Sequence, residues 1–171
     1  FLQEIAIFGN KFTNACEDLG KAPILESPRV LVDVSDATLT IYDGEEMIVR
    51  YDISTGSCRV PGIIKADSHS TPLGDYKIVR KAKHESYLFQ GSRFLQINYP
   101  SVEDIESAWQ QGLIHAGEYE RYFKNSETSD IPPDDLAISR QMGIRGNYFA
   151  LSGSRSTNGE VAMSNGDIND I

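Results

Sequence analysis

Two cysteines and three histidines are the side chains of this 171-residue chain best suited to nucleophilic or metal chemistry. Cys58 stands in Gly56-Ser57-Cys58-Arg59, and His69 follows in the next loop. A thiol attacks as its thiolate, which Arg59 would favour, and an imidazole can shuttle the proton. Cys58 with His69 is therefore one candidate nucleophile–base pair, against the commoner situation of a loop thiol or half a disulfide. A bridge from Cys58 to Cys16 is open only in an oxidising compartment, and sequence does not set the distance. Cys16 itself falls on an apolar stripe and reads as a buried core thiol. His84 and His115 stand alone among polar residues and read as solvated. No two histidines share a helix face at i, i+4 spacing, so no metal site is expected.

Acidic residues are plentiful, but Asp67 and Asp75 read as loop carboxylates, and nothing fixes two acids at the separation glycoside hydrolysis requires. The 25 acidic residues outnumber 16 basic ones for a net charge of −9, spread along the chain. Without a basic stripe to neutralise phosphates, nucleic acid and anionic membrane surfaces are poor partners. With 40% hydrophobic and 24% charged residues the composition is that of a globular domain. No apolar run approaches the ~20 residues that span a bilayer. The first residue is Phe1, which suggests a processed or trimmed chain.

Patterning predicts the elements that must position these groups. Ile5, Phe8, Phe12, Cys16 and Leu19 recur at helical spacing, and Gly20 is placed to stop that helix. Pro23 and Pro28 mark a connector. From Arg29 the period becomes two: Val30, Val32 and Val34 alternate with Arg29, Leu31 and Asp33. Residues 38–42 and 47–53 alternate likewise, joined by Asp43-Gly44, which predicts an antiparallel meander. Residues 76–80 and 93–98 read as further strands. Ser101 and Asp104 make a capping-box pattern before a helix whose stripe is Val102, Ile105 and Trp109, closed by Gly112. The stretch 116–135 reads as a short helix and a loop; Tyr119, Tyr122 and Phe123 could line a groove or pack on the sheet. Strands are expected around 142–145 and 148–151, before a Gly/Ser/Asn-rich run at 152–160.

Several of these segments together resemble L,D-transpeptidase catalytic domains. Val30 to Tyr42 is similar to that family's opening hairpin, Ser54-Thr55-Gly56 to the end of its third strand, and Ser70-Thr71-Pro72-Leu73-Gly74-Asp75-Tyr76 to its Thr-Pro-x-Gly-x-Tyr turn. Asn98-Tyr99-Pro100, the helix bearing Asp104, and Gly112-Leu113-Ile114 resemble a murein-processing subgroup. Order along the chain makes the likeness specific, although each motif alone is weak. The resemblance covers about residues 29–171. It implies a mainly β, α+β fold, a β-sandwich with peripheral helices, to which residues 1–28 add an N-terminal helix and connector. Relatives usually continue past the Asp167 region into a closing strand, whereas this chain stops at Ile171.

The family's chemistry implies a cysteine thiolate that attacks a peptidoglycan stem peptide and a histidine that manages the proton. At the histidine position this chain has Ile144-Arg145-Gly146, and at the cysteine position Thr157-Asn158-Gly159-Glu160-Val161-Ala162. Arginine stays protonated and cannot be a general base. A carboxylate attacking an amide would have to form a reactive anhydride. Arg145 and Glu160 do keep the order of cation opposite anion, which predicts a charge-assisted hydrogen bond between them. The expectation is a degenerate, non-catalytic module without cofactor or metal, exported to the periplasm or cell envelope. Its cleft would use Arg145, Gly146, Asn158, Gly159, Glu160 and Tyr76 to bind stem peptides or an envelope protein. The alternative is an active transpeptidase or crosslink hydrolase with a relocated nucleophile such as Cys58.

Overall fold

Strict alternation from Arg29 onward builds the first sheet. Strands β1 (Pro28–Asp33), β2 (Thr38–Asp43) and β3 (Glu46–Asp52) form an antiparallel meander in that order. Val30 pairs with Ile41, and Leu39 with Tyr51. The Asp33 carboxylate accepts the N–H groups of Ser35 at 2.9 Å and Asp36 at 3.0 Å, which turns the chain from β1 into β2. Gly44, at φ 60°, supplies the left-handed residue of the next turn. The structure, a computed structural model, describes residues 10–83, 91–147 and 153–171.

A second sheet holds β5 (Ile78–Lys83), β6 (Arg93–Ile97), β7 (Gly143–Asn147) and β9 (Val161–Ser164) in the order β5-β6-β7-β9. Its pairings are antiparallel until β7 and β9, which run parallel with Arg145 opposite Ala162. Between the sheets in sequence, β4 (Thr55–Gly56) pairs in parallel with β8 (Arg155–Thr157). Ser54 and Ala162 exchange backbone hydrogen bonds at 2.7 and 2.9 Å and so tie the end of the first meander to β9.

Four helices are present among the described residues: α1 (Lys11–Asp18), α2 (Val102–Gln110), α3 (Ala116–Ser126) and α4 (Asn165–Asp170). One buried cluster takes Phe12 and Cys16 from α1, Leu39, Ile41, Val49 and Tyr51 from the first sheet, Leu95, Ile144 and Met163 from the second, and Ile168 from α4. A second cluster joins Ile105 and Ala108 of α2 to Ile114, Tyr122, Leu136 and Ile138. Mixed sheets with helices around them place the domain in the α+β class.

The predicted meander, the strands near 76–80 and 93–98, and both middle helices are present. The Ser101–Asp104 capping box forms, with Asp104 Oδ2 accepting the Ser101 N–H at 2.8 Å. The stripe of α2 differs from expectation: Asp104, Ile105 and Ala108 are buried, while Trp109 is 46% exposed and lies against Tyr119 with ring centroids 5.4 Å apart. Leu19, expected on the α1 stripe, is exposed at the C-cap. Ile5, Phe8, His84 and the strand expected at 148–151 lie outside the described residues. Sequence patterning anticipated none of β8, β9 and α4. In α1 the cap comes from far along the chain, since the Asp170 carboxylate accepts the Phe12 N–H and the Thr13 hydroxyl while Asn10 makes no side-chain cap.

Candidate functional site

Residue 145 sits mid-strand in β7, with buried Ile144 and Gly146 on either side, and residue 160 immediately precedes β9. Parallel pairing of these strands brings the two side chains to one spot. Arg145 Nε lies 3.9 Å from Glu160 Oε1, with side chains 21% and 23% exposed. That is ion-pair reach and beyond hydrogen-bond range, and neither Arg145 Nε nor Glu160 Oε2 has a hydrogen-bond partner. The expected hydrogen bond is therefore absent, and the attraction between the two groups is Coulombic.

Glycines allow the loop before β9 to pack tightly. Gly159 has φ +115°, and a Cβ there would meet the Ser70 carbonyl at 2.7 Å and Arg140 Nη1 at 3.0 Å. On the facing segment, a Cβ on Gly56 would meet the His69 carbonyl at 2.2 Å. Thr157 locks the loop from within: its hydroxyl donates to the Glu160 carbonyl at 2.6 Å and accepts the Gly159 N–H at 3.2 Å. Asn158 is exposed at the tip. Gly146 is a packing position, because a Cβ there would meet Asn165 Oδ1 at 2.3 Å.

Tyr76 makes no hydrogen bond to Arg145 or Glu160. Its hydroxyl donates to Asp104 Oδ2 at 3.0 Å, linking the turn after Ser70 to the start of α2. Burial, chiefly, pushes the Tyr76 phenol above its ordinary range. Burial also raises the Asp104 carboxyl, against the opposing hydrogen bonds from Ser101 and Tyr76.

Arg140 is the site residue that sequence reading missed. Its Nη2 donates to the Ser70 carbonyl at 2.7 Å and its Nη1 to the Asn158 carbonyl at 3.4 Å, while its guanidinium lies 5.5 Å from the centre of the Tyr99 ring. Nothing in Ser139-Arg140-Gln141 marks it; only the fold brings it to the loop.

Both cysteines are free thiols. Cys16 is fully buried, and burial pushes its thiol up. The Cys58 backbone N–H donates to the His69 carbonyl at 3.2 Å, so the two residues face each other across adjacent strands of backbone, with Cys58 half-buried and His69 exposed. His115 is a helix cap as well as a solvated side chain: its Nδ1 accepts the Glu118 N–H at 3.3 Å. Among the described residues no His, Cys, Asp and Glu cluster is arranged to hold a metal ion. No described helix is long and apolar enough to cross a membrane.

Comparison with known proteins gives a family match over most of the chain. The family model of YkuD, the L,D-transpeptidase catalytic domain, matches residues 27–171. No curated protein matches. A solved structure of Bdellovibrio bacteriovorus Bd1075 is similar at 18% sequence identity with a TM-score of 0.49, covering 82% of this chain and 41% of that one. This chain thus spans less than half the length of that relative.

Proposed function

The chain belongs to the L,D-transpeptidase catalytic-domain family, and from that membership we propose that it is a catalytically degenerate member that binds without turnover. One observation carries the reading. Where the resemblance places a thiol and an imidazole, an arginine and a glutamate stand 3.9 Å apart as an ion pair. Neither group can replace the chemistry of the missing pair: guanidinium does not accept a proton, and a carboxylate does not acylate productively. The charge order survives, and the glycine-lined loop around it stays packed.

The module works at the cell envelope or in the periplasm, with residues 29–171 as the binding domain, two larger sheets stacked as a β-sandwich, and residues 1–28 as an appended helix and connector. Its ligands are peptidoglycan stem peptides or an envelope protein. Arg145 offers a carboxylate contact, and the Asn158–Gly159 loop offers backbone donors.

Incubating the purified protein with stem peptides and reading both calorimetry and intact mass tests this. Saturable heat without a covalent adduct supports the binding module. An adduct on Cys58 overturns it in favour of a relocated nucleophile, a second reading that the backbone contact between Cys58 and His69 keeps in play.

A further inference from the structure

Strand β5 is an edge of the second sheet: β6 lies on one side of it and no described strand on the other. Its charge runs against that of the molecule. Lys77, Arg80, Lys81 and Lys83, four of the 16 basic residues, fall within seven positions, with no acid between Asp75 and Glu85, in a chain of net charge −9. All four are exposed, and none makes a side-chain hydrogen bond or ion pair to another described residue. We propose that this edge takes up an extended acidic peptide segment of another protein, which joins the sheet as a further strand. The site is separate from Arg145 and Glu160 and does not depend on whether the cleft takes stem peptides.

The hydrogen bonds of β6 show which backbone groups of β5 are left over. Asn98 donates its N–H to the Lys77 carbonyl at 3.0 Å, whereas Ile97 donates its N–H away from β5, to the Met142 carbonyl at 3.0 Å. Alternation then turns the backbone of Gln96 and Phe94 toward β5, onto their partners Arg80 and Ala82. The N–H and C=O groups of Lys81 and Lys83 therefore point out of the sheet edge, where an incoming strand can pair with them.

Charge selects the strand. Residues directly opposite share a face, so Lys81 and Lys83 lie with Leu95 and Arg93. Lys83 thus stands opposite Arg93, a like-charge pair, and Arg93 is held there by its Nε–H, which donates to Asn169 Oδ1 at 3.0 Å. Like charges so placed cost stability, and a carboxylate from a neighbouring strand offsets that cost. Asp134 lines a pocket with Arg80 but makes no ion pair with it. Lysines on an edge deter unwanted strands. Here they repel basic segments and the β5 of a second copy while leaving an acidic segment favoured. Lys81 and Lys83 are two positions apart on one face, so the matching partner carries acids at alternate positions.

The probe is a fluorescein-labelled hexapeptide alternating Glu with Thr, followed by anisotropy at constant ionic strength and by amide exchange in β5. Saturable binding is expected. The Lys81 and Lys83 amides should slow in exchange on saturation, while those of Arg80 and Ala82, already paired to β6, change little. Lys81→Glu combined with Lys83→Glu should weaken binding about tenfold or more, as two cross-strand attractions become repulsions. Methylating alternate backbone nitrogens of the peptide should abolish binding in one of the two phases, since only one set of its N–H groups faces β5. Absence of saturable binding overturns the proposal, as do unchanged Lys81 and Lys83 amides or equal binding of a Lys–Thr hexapeptide. Full affinity in both methylated peptides, or equal affinity for a single-stranded oligonucleotide of matched charge, overturns strand addition in favour of a general polyanion surface.

Discussion

The Cα of Gly159 lies 3.0 Å from the point where a Cβ on Gly56 would sit, so the loop before β9 and the end of β4 meet backbone to backbone. Gly56→Ala must force the His69 carbonyl and Gly159 apart. A loss of about 3 kcal/mol is expected, from overpacking without a flexible neighbour to yield. Gly44→Ala, with φ 60° and open space around it, should lose about 1 kcal/mol from left-handed backbone alone. Urea denaturation of the two variants checks the ranking.

Arg145 and Glu160 attract without a hydrogen bond, so their coupling should be modest and sensitive to salt. A double-mutant cycle with Arg145→Met and Glu160→Gln is expected to return about 1 kcal/mol or less, shrinking as ionic strength rises. A coupling of several kcal/mol that ignores salt would mean a hydrogen-bonded pair instead.

Reinstating the reactive groups that the family resemblance implies tests the proposal that the chain binds without turnover. Arg145→His combined with Glu160→Cys puts an imidazole and a thiol on neighbouring strands, and only this double variant should form an acyl adduct with stem peptides by intact mass. Either single change lacks one half of the pair and should give no adduct.

Glu118 ties the start of α3 to the segment leading into β7. Its carboxylate accepts the N–H groups of His115 at 3.0 Å and Ala137 at 2.7 Å. These contacts, the His115 N–H first, hold the Glu118 carboxyl below its ordinary range. A lowered folded pKa gives stability that is present above the unfolded value of about 4.3 and is lost as pH falls through the folded one. Glu118→Gln should therefore cost about 2 kcal/mol at neutral pH, with the two proteins converging in strong acid. Asp104 runs the opposite way, because burial raises its carboxyl. Its ionisation erodes stability as pH climbs from the unfolded value to the raised folded one, and Asp104→Asn should flatten that part of the curve.

The thiols should separate cleanly by reactivity. Cys58 is half-buried and Cys16 has no exposed surface, so a disulfide reagent is expected to modify one thiol in the native protein and the second only with unfolding. Two fast-reacting thiols would contradict the packing of α1.

Sequence alone exposed the elements whose patterns are local. Alternation through Val30 and Ile41, the Asp43-Gly44 turn and the Ser101–Asp104 box each need only neighbouring residues, and each forms. The proximity of Arg145 and Glu160 was legible through family resemblance, although their spacing excludes the hydrogen bond. Arg140 was not legible, because its contacts to Ser70 and Asn158 arise from three distant segments meeting. Trp109 misled for a related reason. An apolar side chain at helical spacing suggests burial, yet its partner is Tyr119 at the surface. The short α4 begins at Ser164, whose hydroxyl accepts the Asp167 N–H at 3.0 Å, a cap hidden inside a run rich in turn residues.

The carboxylate of Asp170 that completes α1 lies 158 positions downstream of the amide it accepts. During synthesis, Lys11–Asp18 and the first sheet on which its Phe12 and Cys16 pack both leave the ribosome before that acid exists, so until then the Phe12 amide at the helix start lacks its carboxylate partner. A nascent chain halted before α4 would therefore carry a first helical turn with that amide left to water, open to fraying from its start.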